Sequence, residues 1–168
     1  MSAQEPVEVV DLDGRVERVV TRSEMRAGRL RHRCTYVLVL DHADQLVVHQ
    51  RAAWKDVWPS RWDVAFGGVA GVGEDWLDAA RRELHEEAGV EAILRQAGGG
   101  AYDDDAVSVL GRVFVARHDG PFTFPDGEVV ASERVPLARL GEVLAERAWC
   151  PDSLALAESA LKALEGRG

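Results

Sequence analysis

The sequence predicts an α/β sandwich in which helices cover both faces of one mixed sheet. Three observations carry this expectation. Cys34 to Leu40 (CTYVLVL) is an unbroken apolar, β-rich run of the kind buried on both faces of a sheet. The segment from about Asp75 to Ala88 repeats apolar residues at helical spacing and stops at Gly89, which can take the left-handed cap conformation. Strand-like and helix-like segments alternate elsewhere, with no internal repeat, low-complexity tract or linker between them, so one domain over residues 1–168 is expected.

In chain order, Val7 to Val20 alternates around Asp13-Gly14 and reads as a hairpin. Thr21 with Glu24 three residues later matches a capping box and opens a short helix to about Leu30. The run Cys34–Leu40 and the run Gln45–His49 flank a polar turn and are expected to pair. Arg51 to Trp62 is rich in tryptophan and holds Pro59, which forbids a central strand, so it reads as a loop. Asp63 to Phe66 is expected as a short strand running into Gly67-Gly68. Beyond the helix, strands are expected near 91–96, 107–117 and 127–135, divided by a turn at Gly98–Gly100 and by the HDGPF loop. Two helices, near 137–147 and 152–164, close the chain, and Pro151 suits the first turn of the second.

Composition excludes some function classes. The formal net charge is −9, which repels nucleic-acid polymers in the absence of a local basic patch. One basic stretch exists: Arg22, Arg26, Arg29, Arg31 and Arg33. It reads either as a solvated helix face leading into a strand edge or as a positive rim that gathers a small anion. No run approaches the roughly 18–20 apolar residues of a membrane span. The first ten residues do not resemble a signal peptide. Two scattered cysteines, Cys34 and Cys150, make neither a disulfide framework nor a metal cage, so a cytoplasmic location is expected. A homodimer is left open.

The chemistry concentrates between Gly68 and Val90 (GVAGVGEDWLDAARRELHEEAGV). On the helix, Leu77, Ala80, Leu84 and Ala88 form an apolar stripe, and Glu83, Glu86 and Glu87 share a neighbouring face. Like charges at these spacings weaken a helix, and some of them stand near its disfavoured C-terminal end. A hard divalent cation, Mg²⁺ or Mn²⁺, removes the conflict by binding carboxylate oxygens. The competing reading is an acidic solvent face balanced by Arg81 and Arg82. Glycines at 67, 68, 71 and 73 let backbone and ligand come close and favour a site.

These residues carry a family resemblance. Gly68, Glu74, Arg82-Glu83-Leu84, Glu86-Glu87 and Gly89-Val90 match every specified position of the Nudix box, GX5EX7REUXEEXGU. A chance match is on the order of one in a million. The resemblance implies a Nudix-type α/β/α sandwich and a metal-dependent hydrolase of a phosphoanhydride bond, acting on a small phosphorylated substrate such as a nucleotide or nucleoside-diphosphate derivative. It implies that Glu86 and Glu87 bind metal, that Glu83 is a further ligand or the base, and that Gly67 offers its backbone carbonyl to a metal. Arg82 is expected to orient the box glutamates, with Glu74 as its partner.

A second resemblance concerns Arg51-Ala52, Lys55, Trp58-Pro59 and Trp62, which are similar to the segment upstream of the box in type I isopentenyl-diphosphate isomerases and their hydrolase-like relatives. It implies that Arg51 and Lys55 face substrate phosphate. Isomerisation itself is disfavoured, because the isomerases need a cysteine beside the box glycine and a following histidine, where this chain has Gly67 and Val69. His32 falls where the isomerases carry a histidine ligand, but the matching later glutamates are Val107 and Val109, so His32 is expected to be structural. Glu128 is a candidate base from a later loop, against the plainer reading of a solvated strand-edge carboxylate. Trp149 is expected in the core and Asp103–Asp105 in a solvated turn. A non-catalytic ligand-binding protein that kept the fold is the third reading.

Overall fold

The computed structural model describes residues 2–167. The N-terminal hairpin forms from β1 (Pro6–Val10) and β2 (Val16–Thr21), paired antiparallel. Thr21 then caps α1 (Arg22–Ala27) through the reciprocal bonds of a capping box, and this helix ends before Leu30. These two local signals needed no tertiary context.

The central strand is β3 (His32–Leu40), buried along almost its whole length. Its burial follows from a core packed on each face, with Leu38 and Leu40 in one and Val37 and Val39 in the other. It runs antiparallel to β6 (Phe66–Val69) and parallel to β8 (Ser108–Arg117). The expected pairing of β3 with β4 (Gln45–Arg51) is confined to Leu40↔Leu46. Beyond that point β4 leaves to pair with β9 (Val129–Pro136) and the short β5 (Trp62–Asp63). The sheet thus opens between β3 and β4, and one cleft is lined by residues from both sides of this opening.

Helices cover both faces. One core, including Val37, Val39, Phe66 and Phe114, packs under α2 (Trp76–Ala88) through Ala80, Leu84 and Ala88. The other, including Leu38, Leu40, Val48 and Val113, receives Leu140 and Val143 of α3 (Leu140–Glu146) and Ala157, Ala160 and Leu161 of α4 (Pro151–Glu165). This is the α/β sandwich that was expected. A single 3₁₀ turn, Leu137–Arg139, precedes α3, and Pro151 occupies the first turn of α4.

One expectation fails clearly. Residues 91–94 lie outside any strand, and Gly98–Gly100 is not a turn but the middle of β7 (Arg95–Asp103), antiparallel to β8. All three glycines have φ between 148° and 154°, which side-chain-bearing residues rarely adopt. A Cβ at Gly99 would stand 2.3 Å from the Gly111 carbonyl oxygen. Close strand approach at Gly99, and the positive φ of all three, rather than chain reversal, is what these glycines serve.

The arginine stretch is neither a free solvated face nor one positive surface. Arg22 and Arg26 bond Asp56, Arg29 and Arg31 reach the Asp103–Asp104 turn, and Arg33 pairs with Glu8. Asp103 also accepts from Ser108, so that turn is ion-paired rather than simply solvated. Trp149 is 5% exposed and packs beside Trp62, as core.

Candidate active site

The loop before α2 is shaped by two acids and two arginines. Asp75 caps α2 by accepting from the Leu77 amide, and Gly89 ends it at φ 67°. Arg82 donates to Glu74 twice, from Nε to Oε1 at 2.8 Å and from Nη2 to Oε2 at 2.9 Å. Glu74 in turn accepts from the Gly71 amide at 2.7 Å. From the other side, Arg33 donates to the Glu74 and Gly71 carbonyls, and its partner Glu8 accepts from the Gly73 amide at 2.8 Å. Glu8 and Arg33 went unnoticed in the sequence as loop supports. Glu8 is 65 residues from Gly73, and no local signal spans that distance.

Against this loop stand two buried carboxylates. Glu83 and Glu87 are each 3% exposed. A Cβ at Gly68 would lie 2.7 Å from the Glu83 carboxylate, and the Gly67 amide donates to Glu87 Oε2 at 3.2 Å. Gly67 itself is pressed on β3, where a Cβ would come within 1.8 Å of the Thr35 carbonyl oxygen. Glu86 points outward, its side chain 48% exposed, and accepts from Arg82 Nη1 at 3.3 Å. Glu83 accepts from the same Nη1 at 2.7 Å. Arg82 thus holds Glu74, Glu83 and Glu86 together. Among the described residues, no three His, Cys, Asp or Glu side chains already stand as a metal cage.

The electrostatics reflect burial. Desolvation pushes the Glu83 carboxyl up to about 7 even though Arg82 opposes the shift. Glu87 rises well above the usual carboxylate range, first through burial and then through the charge of Glu83, with Lys55 and Arg51 opposing. Burial would also raise Glu128, but the hydrogen bond and charge of Lys55 outweigh it and hold that carboxyl below its ordinary value.

Glu128 is not a solvated edge residue. Its side chain is 14% exposed, pairs with Lys55 and hydrogen-bonds Glu87. Lys55 is buried in this pair. Arg51 donates from Nε and Nη2 to the Val57 carbonyl oxygen, which bends the tryptophan-rich loop back over the cleft. Burial opposes its charge, but Asp63 and Glu87 among others more than offset this. Arg51, Lys55, Gly67, Glu83, Glu87 and Glu128 therefore line one cleft, while Arg82 and Glu86 lie outside its lining, joined to it through the Arg82–Glu83 pair.

The NUDIX domain family matches residues 30–155. Nudix hydrolase SCO1686 of Streptomyces coelicolor is 36% identical over 168 residues, covering 98% of this chain and 92% of its own. Nudix hydrolase YfcD of Escherichia coli is 34% identical over 130 residues, 77% of this chain and 72% of that one. This chain belongs to the Nudix family. Among solved structures, DR0079 from Deinococcus radiodurans superposes with a TM-score of 0.74 at 22% identity, covering 96% of this chain and 98% of that one. The NUDIX domain of Shewanella oneidensis NrtR, solved with ADP-ribose, reaches 0.66 at 18% identity, covering 86% and 99%. These two show the Nudix fold. The enzyme class expected from the box, a Nudix pyrophosphohydrolase, stands.

Within the Nudix fold, the cleft has a second cluster that was missed in the sequence. Tyr36 donates to Asp152 at 2.8 Å, and Asp63, buried and pushed up to about 6 by desolvation, sits beside Arg51. Cys34 also lines the cleft, but burial pushes its thiol up to about 12, the wrong direction for a nucleophile. His32 is buried and donates or accepts through Nδ1 at the Leu30 carbonyl, 2.9 Å away.

Proposed function

We propose that this Nudix enzyme hydrolyses a phosphoanhydride bond in a small diphosphate-linked substrate with the help of Mg²⁺ or Mn²⁺. The observation that carries this reading is the packing of Glu83 and Glu87, both buried, against Gly67-Gly68 in the same cleft as Arg51 and Lys55. Two buried carboxylates with raised proton affinity fit a hard divalent cation, whose charge offsets their desolvation. Glu83, Glu86, Glu87 and the Gly67 carbonyl would hold it. Once bound, such an ion polarises phosphoryl oxygens and lowers the pKa of a water.

The chain's own residues supply the rest. Arg82 orients Glu83 and Glu86 through Nη1 and ties them to the Glu74 loop. Arg51 and Lys55 face the anionic part of the substrate, with Lys55 exchanging part of its contact with Glu128 for phosphate. Glu128, kept ionised by Lys55, would take a proton from water beside Glu87. The ADP-ribose found with the NrtR domain supports a small phosphorylated ligand. Among the described residues, no helix is long and apolar enough to cross a membrane. The two free, buried cysteines suit a reducing cytoplasm.

The test is release of phosphorylated product from a diphosphate panel, read by product identity with and without Mg²⁺ or Mn²⁺. Turnover is expected only with metal and is lost in Glu86→Gln and in Glu87→Gln. Unchanged turnover in both variants removes the mechanism. Tight metal-dependent binding without turnover supports the ligand-binding reading instead.

A further inference from the structure

The cleft continues into a second hollow beside the tryptophan-rich loop. Arg22, Arg26, Lys55 and Glu128 line both, and the hollow adds Trp54 and Asp56. Trp54 is 64% exposed, whereas the other four tryptophans are buried or half-buried. A single exposed apolar side chain is ordinary on a surface, so its position has to carry the argument. The Lys55 ammonium lies 5.9 Å from the Trp54 ring centroid and pairs with Glu128, which hydrogen-bonds Glu87. One lysine therefore separates the exposed indole from the carboxylates of the cleft. The loop that presents the indole is pinned there. The Ala52 amide donates to the Glu128 carbonyl at 2.8 Å, and the Lys55 amide to the Ala52 carbonyl at 3.3 Å.

The rest of the hollow is polar. Arg22 Nε, Arg22 Nη2 and Arg26 Nε all reach one oxygen of Asp56, Oδ2, at 3.3, 3.2 and 3.0 Å. Among the described residues nothing donates to Asp56 Oδ1, and this side chain is 41% exposed. Arg26 uses Nε for Asp56 and brings further N–H donors on a side chain 23% exposed. A flat π face stacks on an indole. A hydrocarbon ring would gain that stack, but its edge could neither donate nor accept beside Asp56 and Arg26. The edge of a nucleobase does both. With Lys55 on phosphate, a base on Trp54 would stand across a gap that a pentose bridges, which is the layout of a nucleotide.

We propose that Trp54 is the stacking platform of a base subsite, so that the diphosphate held in the cleft carries a nucleobase on the side of the tryptophan-rich loop. The proposal rests on the diphosphate reading of the cleft and narrows its substrate to the nucleoside-diphosphate class.

The test uses the α,β-methylene diphosphates of adenosine, guanosine, cytidine and uridine, beside the 1-deoxyribose analogue that lacks the base. Binding to the full chain with Mg²⁺ is measured by calorimetry, and turnover is measured separately on the parent diphosphates. At least one nucleoside analogue is expected to bind about tenfold more tightly than the abasic one, the scale of one base–aromatic stack. That ratio is expected to fall towards one in Trp54→Ala and to survive largely in Trp54→Phe. The difference in acrylamide quenching between wild type and Trp54→Phe reports the Trp54 indole itself. The preferred nucleoside analogue is expected to shield it, and the abasic analogue is not. Equal affinity of the wild type for all members, or Trp54 quenching unmoved by every nucleoside analogue, overturns the proposal without any variant having to bind. Shielding that grows with protein concentration in the absence of ligand also overturns it, by assigning the indole to contact between copies. Base-dependent shielding without hydrolysis of any parent compound upholds the subsite while the hydrolase reading falls. Metal-dependent hydrolysis with no base preference leaves that reading standing and removes the subsite.

Discussion

Arg82 and Glu74 form a two-point ion pair, with bonds of 2.8 and 2.9 Å, that joins the second turn of α2 to the glycine loop before it. The same guanidinium reaches Glu83 and Glu86, so both carboxylates are tied to the loop. A planar fork can make these contacts simultaneously and an ammonium cannot. Arg82→Lys is therefore expected to lower kcat at least tenfold. Because the Arg82 side chain is about one-third exposed, the stability change should stay near ~1 kcal/mol. Steady-state kinetics beside a denaturant titration checks this, and a loss of stability without loss of kcat would show that the contact is only structural.

The two neighbouring glycines should behave differently. In Gly67→Ala the new methyl meets backbone, the Thr35 carbonyl oxygen at 1.8 Å, and the strand pair must separate. A cost above ~4 kcal/mol or failure to fold is expected. In Gly68→Ala the methyl meets the end of a side chain, Glu83, at 2.7 Å. That chain can turn away, so the protein should fold with a small change in melting temperature and lose most of its activity. Thermal melts and turnover on the two purified variants separate the cases.

Removing metal should expose the strain at Glu83. Its carboxyl is raised to about 7 by burial, against 4.5 as the ordinary value. The folded state therefore holds the proton more tightly than the unfolded one. Its contribution to stability is full below about 4.5 and is lost as pH rises through about 7, by up to ~3 kcal/mol. In chelator, wild-type stability should fall over this window. Glu83→Gln should flatten that fall while abolishing turnover, and added Mg²⁺ should restore stability to the wild type but not to the variant. Urea unfolding across pH is the measurement.

The buried histidines act in the opposite sense. Burial lowers His32 to about 4 and His49 to about 3, from 6.5. Each must stay neutral in the fold, so stability is full above about 6.5 and declines as pH falls, by ~1.4 kcal/mol per pH unit for each ring. Between about 4.5 and 6.5 this slope opposes that of Glu83 in the metal-free protein. His49 stacks on Phe66 with ring centroids 4.2 Å apart and leaves Nδ1 unpaired. His49→Phe keeps the stacking and should roughly halve the acid-side slope. A slope unchanged in this variant would assign acid sensitivity elsewhere.

The legible parts of this molecule were those set by neighbours in sequence. The Thr21–Glu24 box, the Asp75 cap, the Gly89 stop and the spacing of glutamates on α2 each depend on residues within one or two helical turns, and their patterns can be read directly. The box also made the family readable, because its residue types are many and its spacing is strict. The glycine run 98–100 was misread because a turn and a tight strand contact both favour glycine, and only the presence of β8 chooses between them.

Tertiary structure alone decided which of the three clustered glutamates turn inward, since Gly67-Gly68 receive Glu83 and Glu87 while Arg82 draws Glu86 to the surface. It likewise placed Glu128 beside Lys55, 73 residues away, and left His32 Nε2 and Trp58 Nε1 without hydrogen-bond partners. Helical periodicity determines a direction around an axis from sequence. What that direction faces depends on burial and long-range pairing, whose energies involve residues that no local spacing relates.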